Sequence, residues 1–266
     1  MPDVTIGSAP GRQAPGPTGP QLEALAAGAP LVALDGLVAG YGKLEVLHRF
    51  DLRVARGQSL CLIGPNGAGK STVLHSIYGL ADITHGSVRV GGVDVTRMPA
   101  NRKLKEAGIA YLLQDNSVFP DMSVEENLWL GGYLLERSDA ARQRAEQVFA
   151  RYEPLRRRRK QRAAVLSGGE RRLLEIGRAL VMDPAVLLVD EPSIGLEPRY
   201  VEMVFDILRD LQRTESKTIV MVEQNARKGL EFADIGYVVV AGRLVVAGRA
   251  ADLLGHPEVG RLFLGG

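Results

Sequence analysis

Cysteine is almost missing from this 266-residue chain: Cys61 stands alone. One thiol excludes an internal disulfide and any zinc site built only from cysteines. Histidine is nearly as scarce, and His48, His75, His85 and His256 show no metal-ligand spacing. No uninterrupted apolar run reaches the roughly 18–20 residues of a membrane-spanning helix. An excess of one charge is also lacking. Lys plus Arg number 33 and Asp plus Glu 31, a net of +2, too little to require nucleic acid or an acidic surface as partner. The beginning of the chain lacks the basic-then-apolar pattern of a secretory signal, so a cytoplasmic location is expected. No internal repeat is found.

Residues 1–30 are short of apolar and charged side chains alike. They hold six Pro, five Gly, no aromatic residue and only three charges, Asp3, Arg12 and Glu23. Such a composition buries too little apolar surface to offset its ordering entropy. A disordered tail is expected there, with a short helical stretch at Leu22–Ala27.

From Leu31 the chain is rich in strand signals. Val88 and Val90, then Gly91-Gly92, then Val93 and Val95 alternate around a two-residue turn and predict a hairpin. Leu60–Ile63, Val186–Val189 and Ile219–Val222 are short apolar runs without alternation, as in strands buried on both faces. Val201, Val204, Phe205, Leu208 and Leu211 follow helical spacing. Tyr237–Val240 and Arg243–Ala247 flank Ala241-Gly242 as a last hairpin. Buried runs alternating with helices predict an α/β core with a parallel sheet. Residues 118–181 contain no buried-strand signal and predict an inserted helical subdomain.

Gly64-Pro65-Asn66-Gly67-Ala68-Gly69-Lys70-Ser71-Thr72 satisfies the pattern G-x-x-x-x-G-K-[ST] between a buried strand and a helix. A polyphosphate needs many donors at close range, so side chains must give way to converging backbone N–H groups. The helix N-terminus adds free N–H groups and a favourable dipole. Lys70 is expected to reach the β- and γ-phosphates and Ser71 to ligate Mg²⁺.

Val186–Val189 runs straight into Asp190 and Glu191. Ligands of open α/β sheets bind at the carboxyl ends of strands. Asp190 is therefore expected to hold Mg²⁺ through water, and Glu191 to orient and deprotonate the attacking water. Leu166-Ser167-Gly168-Gly169-Glu170 opens a helical run that ends at Asp183-Pro184. Ser167 and Glu170 have capping-box spacing. The two glycines cost helix stability but bare backbone N–H groups, which makes an anion site. A second anion site separate from the phosphate loop predicts a composite site closing over a nucleotide held by another subunit.

Together these motifs resemble the ATP-binding subunits of ABC transporters, over residues 31–266. Gly64–Thr72 resembles Walker A, Leu166–Glu170 the signature and Val186–Glu191 Walker B. By that resemblance Tyr41 stacks on adenine. Gln114, in Tyr111-Leu112-Leu113-Gln114, is the Q-loop glutamine and a further Mg²⁺ ligand. Ser193–Pro198 is the D-loop. The resemblance implies an α/β P-loop NTPase core with a parallel sheet, an N-terminal antiparallel β part and the inserted helical subdomain. It implies ATP hydrolysis with Mg²⁺, and Lys70, Glu191 and Gln224 as catalytic residues.

Val118-Phe119-Pro120, Met122–Leu128 and Val222-Glu223-Gln224-Asn225-Ala226 are similar to the LivF-like group of branched-chain amino-acid importers. That group implies a LivG-like ATPase as heterodimer partner, two membrane permease subunits and an extracytoplasmic binding protein, with no nucleic acid. It places the chain peripherally on the cytoplasmic face of the membrane. A urea or amide importer, another ABC transporter and a soluble ABC ATPase are the alternatives. Gln224 replaces the usual switch histidine, as is typical of the LivF-like group. Glutamine hydrogen-bonds but carries no proton at neutral pH. Glu170 replaces the commoner glutamine and is expected to face the helix cap or a basic residue. Arg156–Lys160 is expected to be a solvated, ion-paired helix end. Trp129 is expected either in the core or beside the groove that receives the permease.

Overall fold

The computed structural model describes residues 16–114 and 117–263. Its central strands are the uninterrupted apolar runs. Every residue of β3 (Ser59–Ile63), β7 (Val186–Asp190) and β8 (Thr218–Val222) is buried. With β6 (Ile109–Leu112) and β9 (Ile235–Val240) they run parallel, and β10 (Arg243–Arg249) closes the edge antiparallel. The order is β10-β9-β3-β8-β7-β6. Successive side chains of a strand face opposite ways. Leu60, Leu62, Leu188 and Val220 therefore enter one core and Leu187, Val189, Ile219 and Met221 another.

The first core is shared with a four-stranded antiparallel sheet, β2-β1-β4-β5. Its strands are β1 (Pro30–Tyr41), β2 (Leu44–Ala55), β4 (Asp82–Val90) and β5 (Val93–Asp94). Leu34, Phe50 and Leu52 of that sheet join Val73, Leu74 and Ile77 of α2 (Lys70–Tyr78). The expected hairpin joins β4 and β5, with Val90 opposite Val93 and positive φ at Gly91 and Gly92. The second core takes Val204, Phe205, Leu208 and Leu211 from α8 (Pro198–Glu215). Further helices are α3 (Ala100–Ala107), α9 (Ala226–Phe232), α10 (Ala250–Leu254) and α11 (Pro257–Phe263).

Between β6 and β7 lie α4 (Val124–Gly131), α5 (Ser138–Arg151), α6 (Glu153–Arg157) and α7 (Gly168–Leu180). They have a core of their own, including Val124, Leu128, Phe149, Leu155, Leu174 and Val181. Trp129 packs against this core from a half-buried position, with the Arg142 guanidinium 4.9 Å from its ring centre. The basic run is ion-paired. Arg156 and Arg157 bind Glu153, Arg158 binds Glu170, and Arg159 binds Glu125 and Glu146.

The expected disordered tail requires correction within its second half. Residues 1–15 lie outside the described residues, but Gly19–Leu25 form a helix, α1, beginning three residues before the expected stretch. Gln21 accepts from the Thr18 N–H at 2.8 Å, and Leu22 is fully buried in the first core. The Gln58 amide donates to the Leu25 carbonyl at 3.2 Å. Average composition misled because one buried leucine and a few backbone bonds suffice to dock a short helix on a core that already exists. Among the described residues, no helix is long and apolar enough to cross a membrane.

Candidate nucleotide site

The phosphate loop leaves the end of β3 and turns into α2. Gly64 has φ 147°, and a Cβ there would lie 2.1 Å from the Val239 carbonyl oxygen, so no other residue fits. Pro65, Asn66 and Gly67 are exposed at the rim, whereas Ala68, Gly69, Lys70 and Thr72 are buried. The Ala241-Gly242 turn supports the loop from the next hairpin, with Gly242 N–H donating to Ala68 O at 2.9 Å. Lys70 Nζ donates to Gly64 O at 2.9 Å and Pro65 O at 3.0 Å. Burial pushes its pKa down, while the nearby Glu191 and Asp190 carboxylates oppose that shift.

Ser71, in the first turn of α2, donates from Oγ to Asp190 Oδ1 at 3.1 Å. The two residues are 119 positions apart in sequence, and the parallel sheet brings them together. Glu191 follows with a left-handed backbone, φ 43°, and its N–H donates to Val222 O at 2.9 Å. Burial raises the pKa of the Glu191 carboxyl, and the adjacent Asp190 charge adds to the rise. A carboxyl group so tuned is a suitable proton acceptor for water.

Gln114 is exposed at the end of the β6 strand segment. It lines a cavity of about 370 Å³ together with Glu191, Gly168, Arg171, Ile194 and Leu196. The loop after β7 is tied inward by Ser193 Oγ, which donates to Glu223 Oε1 at 2.7 Å. Gln224 lies exposed just beyond β8.

Tyr41 ends β1 and is 41% exposed, which leaves its ring accessible. Its hydroxyl meets His75 Nδ1 and lies 3.5 Å from Thr72 Oγ1, so the ring leans against α2.

At the other helix end, Ser167 caps α7. Glu170 N–H donates to Ser167 Oγ at 3.3 Å, and Ser167 N–H donates to Glu170 Oε2 at 3.0 Å. The Glu170 carboxylate also binds Arg158 at 2.6 Å, so it faces both the cap and a basic residue. The two glycines play different roles. Gly168 is exposed, whereas Gly169 is buried and a Cβ there would lie 2.0 Å from the Tyr200 ring. Gly169 thus has a role that the spacing does not show: it makes room for α8.

Three groups at the site were not found by sequence reasoning. Tyr111 of β6 donates to Asp190 Oδ2 at 2.8 Å. Arg172 and Glu175 form a buried pair at 2.7 Å, with Arg172 on Leu113 O and Glu175 receiving the Ser117 N–H. Glu223 accepts from Ser193 and from the Asn225 N–H, and its Oε2 is buried without a partner among the described residues. Glu223 was legible in principle: a buried apolar strand ending in an acid is the same signal that marks Asp190. Arg172 and Glu175 were visible only as two charges at i, i+3 among leucines.

Residues 47–194 match the ABC transporter family. The chain is 39% identical to the high-affinity branched-chain amino acid transport ATP-binding protein BraG of Pseudomonas aeruginosa. The match spans 89% of this chain and all of that protein. This chain belongs to the ABC transporter ATP-binding family. As a member it is an ATPase. It is also 38% identical to a probable branched-chain amino acid transport ATP-binding protein LivF of Archaeoglobus fulgidus, over 86% of this chain and 96% of that protein. In fold it is similar to an ATP-binding cassette of an ABC transporter in its ADP conformation. The TM-score is 0.79 at 25% identity, covering 90% of this chain and 100% of the cassette. ABC ATPase subunits bind ATP and work with membrane permease subunits, and the expected fold class agrees with this architecture.

Proposed function

We propose that this ABC ATPase energises an importer of branched-chain amino acids, at the cytoplasmic face of the membrane. The observation that carries the cargo is the similarity to BraG, which spans the whole of that protein. In this reading a LivG-like ATPase is its partner, and two permease subunits and an extracytoplasmic binding protein complete the transporter.

The residues divide the work as follows. Backbone N–H groups from Asn66 to Thr72, with the Lys70 ammonium, bind the phosphates; Gly64 and Pro65 shape the loop's entry. Tyr41 stacks on adenine. A Mg²⁺ ion suits the donor set, because Ser71 Oγ and Asp190 Oδ1 are hard oxygens 3.1 Å apart. When bound, Mg²⁺ neutralises charge on the transferred phosphoryl group. Ser71, Asp190 and Gln114 would hold it. Glu191 orients the attacking water and accepts its proton. Gln224 contributes a hydrogen bond toward the γ-phosphate, without proton transfer. Ser167, Gly168, Gly169 and Glu170 present the capped α7 terminus to the nucleotide held by the partner.

The test is the ATPase rate of the transporter copurified from membranes and placed in lipid nanodiscs. Binding protein loaded with leucine, isoleucine or valine is expected to stimulate hydrolysis several-fold, and urea is not. Stimulation by urea alone would transfer the chain to a urea importer. Purification without any permease would overturn the transport assignment.

A further inference from the structure

The metal-binding carboxylate of the proposed function has two oxygens, and both are held. Ser71 donates to Oδ1 at 3.1 Å and Tyr111 donates to Oδ2 at 2.8 Å. Tyr111 is brought there by the sheet. In the parallel pairing of β6 with β7 it stands opposite Leu188, two residues before Asp190.

The Tyr111 ring is itself clamped by α2. Its centre is 5.7 Å from that of His75, edge-on, and 5.4 Å from that of Tyr78. Ser71, His75 and Tyr78 have the spacing i, i+4, i+7, which is one face of a helix. The helix that supplies the metal-binding hydroxyl therefore also positions the tyrosine that steers the opposing carboxylate. Phenol is a donor with a single direction, so its bond fixes the rotation of the Asp190 carboxylate. Without it, among the described residues, Ser71 would be left to orient the group, through a longer bond.

We infer that Tyr111 is a positioning residue for the metal-binding carboxylate, acting through the hydroxyl bond to Asp190 Oδ2. This rests on the proposed reading of Ser71 and Asp190. Groups that hold a ligating side chain from behind raise metal affinity by fixing its orientation, and their removal commonly costs 10–100-fold. The same ring lines an apolar groove with Tyr78, Phe119 and Tyr133. One side chain thus borders both the metal carboxylate and that groove.

The experiment titrates Mn²⁺ into the full chain with ADP, following free Mn²⁺ by electron paramagnetic resonance, and measures ADP affinity in EDTA separately. Tyr111→Phe keeps the ring and its contacts with α2 but loses the bond. It is expected to weaken Mn²⁺ binding roughly 10-fold, with metal-free ADP affinity and melting temperature unchanged. A purely structural tyrosine would lower the melting temperature or the metal-free affinity instead. Asp190→Asn is the control for the underlying reading and is expected to lose Mn²⁺ binding more completely. If Asp190→Asn weakens Mn²⁺ while Tyr111→Phe matches wild type, the role of Tyr111 is overturned and the metal site stands. If neither variant changes Mn²⁺ affinity, both are overturned.

Discussion

Around Gly64–Thr72 the atoms that fix the loop are mostly backbone and apolar side chains. The loop grows from β3, every residue of which is buried, and rests on Ala241-Gly242 through a backbone hydrogen bond. Around Ser167 the fixing atoms are mostly charged. Glu170 takes Arg158 as well as the cap, Arg159 spans from Glu125 to Glu146, and Glu153 holds Arg156 and Arg157. The first region is anchored by burial, which neither salt nor mild acid removes. The second adds, over its apolar core, partly exposed ion pairs, each worth little alone and weakened by screening. One chain thus carries a loop held by burial and a helical segment whose apolar core is supplemented by contacts that depend on ionisation.

The strongest way to break this comparison is to disable each end separately. Lys70→Ala removes the phosphate-loop cation and is expected to lower ATPase activity by at least about 100-fold, the scale of losing one buried charge-stabilising donor. Ser167→Arg fills the α7 anion site and is expected to leave ATP binding to the isolated chain intact. In a Glu191→Gln background, which retains ATP, Ser167→Arg is expected to abolish the ATP-dependent dimer with the partner ATPase in light scattering. Dimerisation equal to that of Glu191→Gln alone would remove the composite-site reading.

A smaller effect sharpens the electrostatic half. Arg159→Ala deletes two ion pairs and the contact of its guanidinium with the Phe149 ring, 4.7 Å from the ring centre. A loss of about 1 kcal/mol is expected at low ionic strength, a fall of about 2–4 °C in melting temperature for a chain of this size. The fall should shrink in 1 M salt, where the Debye length drops to about 3 Å. A fall independent of salt would mean that ring packing, not charge, holds this region.

The smallest effect is a pH response. Hydrogen bonds from Arg156 and then Arg157 hold the Glu153 carboxyl at about 2, against an ordinary value of 4.5. A depressed folded-state pKa gives stability that is present above 4.5 and lost as pH falls toward 2. Because Glu153 is exposed, the response is expected to be slight. The melting temperatures of wild type and Glu153→Gln should converge as pH falls from 5 toward 2. Curves that stay parallel would show that the bridge stabilises nothing.

Local spacing carried most of the fold. Leu60–Ile63, Val186–Val189 and Ile219–Val222 were legible as buried strands because two-sided burial leaves no polar alternation. The Gly64–Thr72 loop was legible because its glycines, lysine and hydroxyls form a dense local pattern between a buried strand and a helix. The Ser167–Glu170 cap was legible because both partners lie within one helical turn. A short helix was legible at Leu22–Ala27, but its docking at Gly19–Leu25 was hidden, since burying Leu22 depends on a core built by distant strands. The second task of Gly169 was hidden because Tyr200 arrives from another helix.

The sequence by itself thus determined the buried strands β3, β7 and β8, the β4–β5 and β9–β10 hairpins, the glycine-rich loop of Gly64–Thr72 and the acids that follow β7, because each depends on neighbours a few positions apart. Only the tertiary structure decided that Ser71 and Tyr111 grip the same Asp190, 119 and 79 positions away. It also decided that Arg172 of α7 donates to Leu113 O, that Glu175 receives the Ser117 N–H, and that Glu223 holds Ser193. Those contacts follow from the order and register of the parallel strands, which bring remote chain segments to one edge of the sheet and which no local spacing records.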